Sequence, residues 1–170
     1  METDDAFIRQ INQNLGIAHK VSGLYFDDPG DREDALQEMM YQLWRSYPNF
    51  KEQSKFSTWM YSVCLNTALT YKRKSKKKKN ESLSSPHYQI ADPSPQYKDE
   101  SIKLLFEAIT RLSPLNKAIV LLYLENNSYE EIAGITGLSR SNVSVRLVRL
   151  KKELETELKK KIKSIEDVNF

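Results

Sequence analysis

The chain holds one cysteine, Cys64, and two histidines, His19 and His87. An intramolecular disulfide and a cysteine-based zinc site are thereby excluded, and the histidines stand too far apart for metal-ligand spacing. Glycine is also scarce. With five in all, the sequence contains neither GxGxxG nor GxxxxGK[ST], so phosphate-cradling loops of those kinds are excluded. Long apolar runs are missing too: the longest, Ala118 to Leu124, falls far short of the roughly 20 residues a bilayer span needs. The opening METDDAF is acidic with no apolar stretch behind it, so no secretory leader is expected. No paired carboxylates, nucleophile–base pair or metal cluster suggests covalent chemistry. The expectation is a soluble, intracellular chain with no catalytic residues, no cofactor, no metal, no small-molecule substrate and no direct membrane insertion.

What is present is charge, unevenly placed. Residues 1–71 carry 6 basic and 10 acidic side chains, whereas the eight residues KRKSKKKK at 72–79 carry seven positive charges. Residues 101–170 are mildly basic, with 12 basic against 9 acidic side chains. A basic block of this density attracts phosphate backbones through counterion release. A solvated tract or a nuclear localisation signal would have the same composition. The 170 residues suffice for one ordinary domain or two small ones.

Strand patterns are scarce and helical periodicity recurs. Asp31 is positioned to cap a helix with Leu36, Met39, Met40, Leu43 and Tyr47 on one face, ended by Pro48. A second helix is expected from about Ser57 to Lys74, with Met60, Val63, Cys64, Thr67 and Tyr71 inward. Cys64 then reads as a small core residue. From Ser75 to Asp99 the sequence is rich in Lys, Ser, Asn and Gln, and Pro86, Pro93 and Pro95 break any helix. This gives an all-α expectation: a domain over 1–75, a flexible linker over 76–100 and a four-helix domain over 101–170.

In the second domain, the first helix spans Ser101 to Leu112 with Leu105, Ile109 and Leu112 inward. Ser113-Pro114 supplies an N-cap followed by proline at the first helical position. That helix runs to about Glu125, and Asn126-Asn127 turns the chain. Ser128 and Glu131 form a capping-box pattern that opens a short helix to Ile135. Thr136-Gly137-Leu138 makes a tight turn, and Ser139 caps a last helix with Val143, Leu147, Leu150, Leu154 and Leu158 inward. Ala133, Gly137 and Val143 fall at helix-turn-helix spacing: small at the crossing, glycine in the turn, β-branched in the second helix. A structural helical hairpin has the same spacing but does not call for the polar start of the last helix. There Arg140, Ser141, Asn142, Ser144, Arg146 and Arg149 avoid the apolar stripe. Arg and Asn suit base edges, and Ser and Arg suit phosphates. Ser139 and Val145 complete the candidate DNA-binding set. Lys159, Lys160 and Lys161 read as a solvated tail.

Three stretches together resemble a family. DREDALQEMMYQLW and PNFKEQSKFSTWMYSVCLNTALTYKRK, followed by LSPLNKAIVLLYLENNSYEEIAGITGLS, are similar to bacterial sigma factors of the extracytoplasmic-function (ECF) type in the sigma-70 family. The resemblance covers about residues 5–75 and 101–158. It implies a protein that directs core RNA polymerase to promoters and helps open the DNA. Asp34, Gln37, Glu38, Leu43 and Trp44 would bind polymerase, although Leu43 and Trp44 also suit a core. Ser54, Lys55, Ser57, Thr58, Trp59, Tyr61, Asn66, Lys72, Arg73 and Lys74 would meet the minus-ten element. Trp59 suits either a core position or a base-stacking platform. The last helix would read the minus-thirty-five element. The implied partners are core RNA polymerase, promoter DNA and an anti-sigma factor, with the chain cytoplasmic or held at the inner membrane by that inhibitor.

The sequence departs from the family in three places. Leu65 and Ser144 stand where members often carry Arg, and Thr70 where they often carry Asp. Two other functions remain compatible with the residues. One is a conventional helix-turn-helix regulator, which would need a dimer interface or ligand pocket. The other is a sigma mimic that sequesters an inhibitor.

Overall fold

The computed structural model describes residues 2–81 and 99–168, and the chain divides into two compact units, Met1–Ser94 and Pro95–Phe170. Among the described residues the secondary structure is helical, with no strand. The first unit contains α1 (Glu2–Tyr25), α2 (Pro29–Ser46) and α3 (Phe56–Glu81), with a 3-10 turn at Tyr47–Asn49. All three helices pack on one another.

Helix α1 is absent from the sequence expectation. It buries Ile11, Ile17, Ala18, Val21, Leu24 and Tyr25. Its apolar stripe is interrupted by Asn, Gln and two glycines, so periodicity alone is weak there. The buried Ser22 hydroxyl donates to the His19 carbonyl at 3.1 Å, satisfying itself within the helix.

Asp31 does not cap α2. The cap is Asp28, whose Oδ2 accepts from the Asp31 backbone N–H at 3.0 Å, and Pro29 occupies the first turn. A proline there gives up no intrahelical hydrogen bond, which fixes the start three residues earlier than expected. The Arg32 guanidinium donates to the Phe26 carbonyl at 3.0 and 3.2 Å and ties the end of α1 to α2. Ala35, Met39 and Leu43 are buried on the inner face of α2.

In α3, Met60 and Cys64 are buried as expected, but Val63, Thr67 and Tyr71 are only half-buried. The core positions are instead Thr58, Tyr61, Leu65 and Ala68. At 100° per residue the buried arc is rotated by roughly 80° from the expected stripe. The cause is that α3 lies against both α1 and α2 and must bury a wide arc rather than one narrow seam. Leu65, where the family often has Arg, is 1% exposed and belongs to this core. Burial pushes the Cys64 thiol up to about 12, so it is a packing residue. Helix α3 also continues past Lys74 and Ser75 to Glu81, so the expected linker begins later. The rest of that linker, residues 82–98, lies outside the described residues.

The second unit is α4 (Glu100–Thr110), α5 (Pro114–Leu124), α6 (Tyr129–Thr136) and α7 (Arg140–Val168). Here the local chemistry and the structure agree. The Asp99 carboxylate accepts from Ser101 N–H at 2.9 Å to open α4. Ser113 caps α5 with Pro114 in the first turn. The Ser128–Glu131 capping box closes both ways, at 3.1 Å from Glu131 N–H to the Ser128 hydroxyl and 2.7 Å from Ser128 N–H to the Glu131 carboxylate. Gly137 has φ +73°, the left-handed conformation that ends α6. The Ser139 hydroxyl accepts from Asn142 N–H at 3.2 Å and caps α7.

Residues Ala118 to Leu122 are all buried, making α5 the centre of the unit. Val143, Leu147, Leu150 and Leu154 of α7 are buried, and α7 packs on α4, α5 and α6. Lys159 and Lys160 are solvated as expected, but the lysines at 159–161 are helical rather than a loose tail. They lie within α7, and the Lys161 ammonium donates to the Glu107 carboxylate of α4 at 2.8 Å.

Candidate nucleic-acid interface

On α2 the inner stripe decides which candidate residues remain available to a partner. Leu43 is fully buried and holds α2 to the core, so it presents no surface to a partner. Its neighbour Trp44 is 61% exposed. Asp34 and Gln37 are exposed, and Glu38 is half-buried and accepts from the Gln42 amide at 2.8 Å. Tyr41, which sequence reasoning passed over, is also exposed, with its ring 6.4 Å from that of Trp44. Tyr41 and Trp44 thus form an i, i+3 aromatic pair left in solvent on the same face as Asp34 and Gln37. The structure bears out Met39 and Leu43 on the buried face and leaves Tyr41 and Trp44 on the opposite, exposed one.

The loop Lys51–Lys55 joins α2 to α3 and is exposed throughout, including the candidates Ser54 and Lys55. Within it Glu52 adopts φ 54°, a conformation costing a non-glycine residue roughly 1 kcal/mol. An aromatic cluster anchors the loop at its base. Trp59 lies 5.0 Å from Phe50, 5.3 Å from Phe56 and 6.2 Å from Tyr47, and Phe7 of α1 adds a ring 4.8 Å from Tyr47. Trp59 is therefore a half-buried member of the loop's foundation. Ser57 is half-buried beside it.

Two of the candidate minus-ten contacts are overturned by burial. Tyr61 is 3% exposed and Thr58 is 7% exposed, both on the buried arc of α3. Neither can reach a nucleic acid without unpacking the helix. Asn66 and Arg73 are exposed on the same side of α3 as Trp59, as their spacing of seven requires. Asn66 and Lys74 line a groove of about 540 Å³ between α2 and α3, together with Glu38, Gln42, Thr70 and Tyr71. Burial and the nearby Asp34 and Asp31 carboxylates raise the Tyr71 pKa, so its hydroxyl stays protonated and donates to Asp34. Lys72 is half-buried, its ammonium 5.8 Å from the Phe26 ring, while Arg73 and Lys74 are exposed.

In the second unit, the start of α7 stands clear of the core. Ser139, Arg140, Ser141, Asn142, Val145, Arg146 and Arg149 are exposed, and Ser144 is half-buried. Two arginines are already steered by neighbours. Arg140 is paired with Glu130 of α6, and Arg146 donates to the Asn116 amide oxygen of α5 at 3.2 Å. The Glu130 carboxyl is held below its ordinary range by its own backbone hydrogen bond and by Arg140. Both contacts are solvent-exposed and hence weak, so a phosphate oxygen can displace them. The helix thus presents prearranged donors with an apolar back, the arrangement by which a helix enters a DNA groove.

Comparison with known proteins bears on both units. Residues 10–78 match the family described as Sigma-70 region 2, and residues 102–154 match Sigma-70, region 4. The chain is 28% identical over 180 residues to an ECF RNA polymerase sigma-E factor of Haemophilus influenzae, covering 92% of this chain and 95% of that one. To the ECF RNA polymerase sigma-E factor of Escherichia coli K12 it is 27% identical over 155 residues, covering 82% of this chain and 81% of the relative. In fold it resembles the sigma factor RpoE from Bartonella quintana, solved in complex with the anti-sigma factor NepR. The TM-score is 0.77 at 21% identity, covering 91% of this chain and 97% of that one. The two matched regions fall one on each unit and in the same order as the exposed polar faces just described, and the chain belongs to the sigma-70 family as an RNA polymerase sigma factor of the ECF type.

Proposed function

We propose that the first unit binds core RNA polymerase and opens the minus-ten element while the second unit reads the minus-thirty-five element. The polymerase contact is the outer face of α2: Asp34, Gln37, Glu38 and Trp44, with Tyr41 added. Carboxylates flanking an exposed aromatic pair suit a helix-on-helix contact with a basic partner. The minus-ten contact is the loop with Ser54 and Lys55, then Ser57, Trp59 and Asn66, with Lys72, Arg73 and Lys74 along the duplex phosphates. An exposed loop seated on an aromatic base can hold an unstacked nucleotide. The upstream contact is the start of α7, from Ser139 to Arg149.

The chain does no covalent chemistry in this reading. The polymerase holds the active site, and this protein supplies recognition and strand separation from the cytoplasm. An anti-sigma factor is the natural regulator, as in the complex of the Bartonella relative. The observation that carries the reading is the pairing of a sigma-70 region with an exposed polar face on each of two separate units. A conventional helix-turn-helix regulator would give the α2 face no role.

The test is a reconstituted run-off assay with the purified chain, bacterial core polymerase and fragmented genomic DNA from the source organism, with transcript 5′ ends sequenced. Discrete starts that share two upstream elements and vanish without the protein are expected. Stable binding to duplex DNA with no protein-dependent start would overturn the reading in favour of the conventional regulator.

A further inference from the structure

The exposed face of α7 carries two valines that the hydrophobic core does not use. Val145 is 51% exposed and Val148 is 67% exposed, the largest value among the exposed large apolar side chains described. The buried stripe runs through Val143, Leu147 and Leu150. At 100° per residue, Val145 and Val148 lie on the far side of the helix. β-Branched residues are mediocre helix formers on a surface, where Lys, Glu or Ala would serve better. The two valines are open to a partner that meets this face of the helix.

The surroundings specify that partner. Arg146 follows Val145 and Arg149 follows Val148, with Ser141 and Ser144 one turn earlier on the helix. Two separated valines among guanidinium and hydroxyl groups make too small and too broken an apolar patch for a protein interface. They match a surface that is anionic at its rims and apolar only at isolated points. The major groove of duplex DNA is such a surface, and the thymine C5 methyl is the apolar group on its base edges. Side chains at i and i+3 stand about 5–6 Å apart. Successive base pairs rise about 3.4 Å, so the two valines reach neighbouring steps.

We propose that Val145 and Val148 read thymine C5 methyl groups in the upstream promoter element, with the adjacent arginines meeting phosphates and base edges. This rests on the reading of α7 as the upstream-element helix. It adds the chemistry of what that helix selects, and it brings in Val148, which the polar pattern of the helix does not single out.

Deoxyuridine removes the C5 methyl and leaves the Watson–Crick edge intact. Holoenzyme assembled from the full chain and core polymerase is tested on a promoter from the run-off assay. Each thymine of the upstream element is replaced in turn by deoxyuridine, for the wild type, Val145→Ala and Val148→Ala. Both valines are exposed, so the variants keep the fold. For the wild type, one or two replacements are expected to weaken binding about fourfold per methyl. That loss should disappear in the variant lacking the valine that covers the methyl. Equal binding to every deoxyuridine template, or a loss undiminished in both variants, overturns the proposal while leaving promoter recognition standing. An upstream element with no A·T pair overturns it likewise. No protein-dependent initiation on any template overturns the underlying reading, and this one with it.

Discussion

Leu43 and Trp44 are adjacent in sequence and opposite in consequence, and replacing each with alanine separates folding from partner binding. Leu43 is 0% exposed and Trp44 is 61% exposed. Leu43→Ala removes buried methyl and methylene groups and leaves a cavity between α2 and its neighbours, at about 2–5 kcal/mol. A unit of this size has a total stability of only about 5–10 kcal/mol. Each kcal/mol moves the midpoint of such a domain by about 4–8 °C. The thermal transition of the first unit should therefore fall by at least about 10 °C. Trp44→Ala gives up little burial, and the midpoint should stay within about 2 °C, as for surface changes generally. If the outer face of α2 is the polymerase contact, its exposed tryptophan is the residue to carry binding energy, about 2 kcal/mol or more. That is roughly thirtyfold in affinity for core polymerase. Thermal unfolding by circular dichroism supplies the first quantity, and competition for core polymerase against a labelled sigma factor supplies the second. Unchanged polymerase binding by Trp44→Ala would refute the assignment of the α2 face. A weakened Leu43→Ala binder with a wild-type transition would refute the burial argument.

Other consequences can be checked independently. Cys64 should resist a thiol reagent at pH 8 in the folded protein and react at once in denaturant, because burial holds its pKa near 12. The linked stability is complete below the unfolded thiol value and declines as pH rises from about 9 toward 12, since the unfolded chain then releases a proton the folded chain retains; a flat stability in denaturant titrations across that window would contradict it. Gly137→Ala should cost about 1–2 kcal/mol from the positive φ alone, because an added Cβ there meets nothing within 4 Å. A neutral effect on unfolding would show that the turn between α6 and α7 is not rigid. Replacing Lys72, Arg73 and Lys74 together with alanine should flatten the dependence of log promoter affinity on log salt by about 2–3. An unchanged slope would remove them from the phosphate-contacting set.

In the second unit, the local sequence contained almost everything that the fold uses. Ser113-Pro114, the Ser128–Glu131 capping box, Gly137 and Ser139 each act within three or four residues, and each occurs where the sequence places it. Such motifs work through a few atoms of neighbouring backbone, so no distant part of the chain is needed to specify them. The stripe of α7 is legible for a related reason: the helix buries one narrow face, and a period of 3.6 residues records it.

The first unit was less legible because its helices bury more than one face. Met60 and Cys64 are buried as the stripe predicts, but Tyr61 and Thr58 are buried too, because α3 packs against both α1 and α2. The apolar stripe already contained Leu43 and not Trp44, and the packing of α2 settled the matter by burying the first and leaving the second exposed. The start of α2 moved from Asp31 to Asp28 because Pro29 takes the first turn, an outcome decided by competition between two nearby carboxylates. Lys161 pairs with Glu107 across 54 positions, a contact no local window contains. The helical class, the two-part organisation, the caps and turn of the second unit, and the family all follow from local residue patterns. Which faces of the helices stay open to a partner follows from packing alone, because exposure is a property of what the rest of the chain covers.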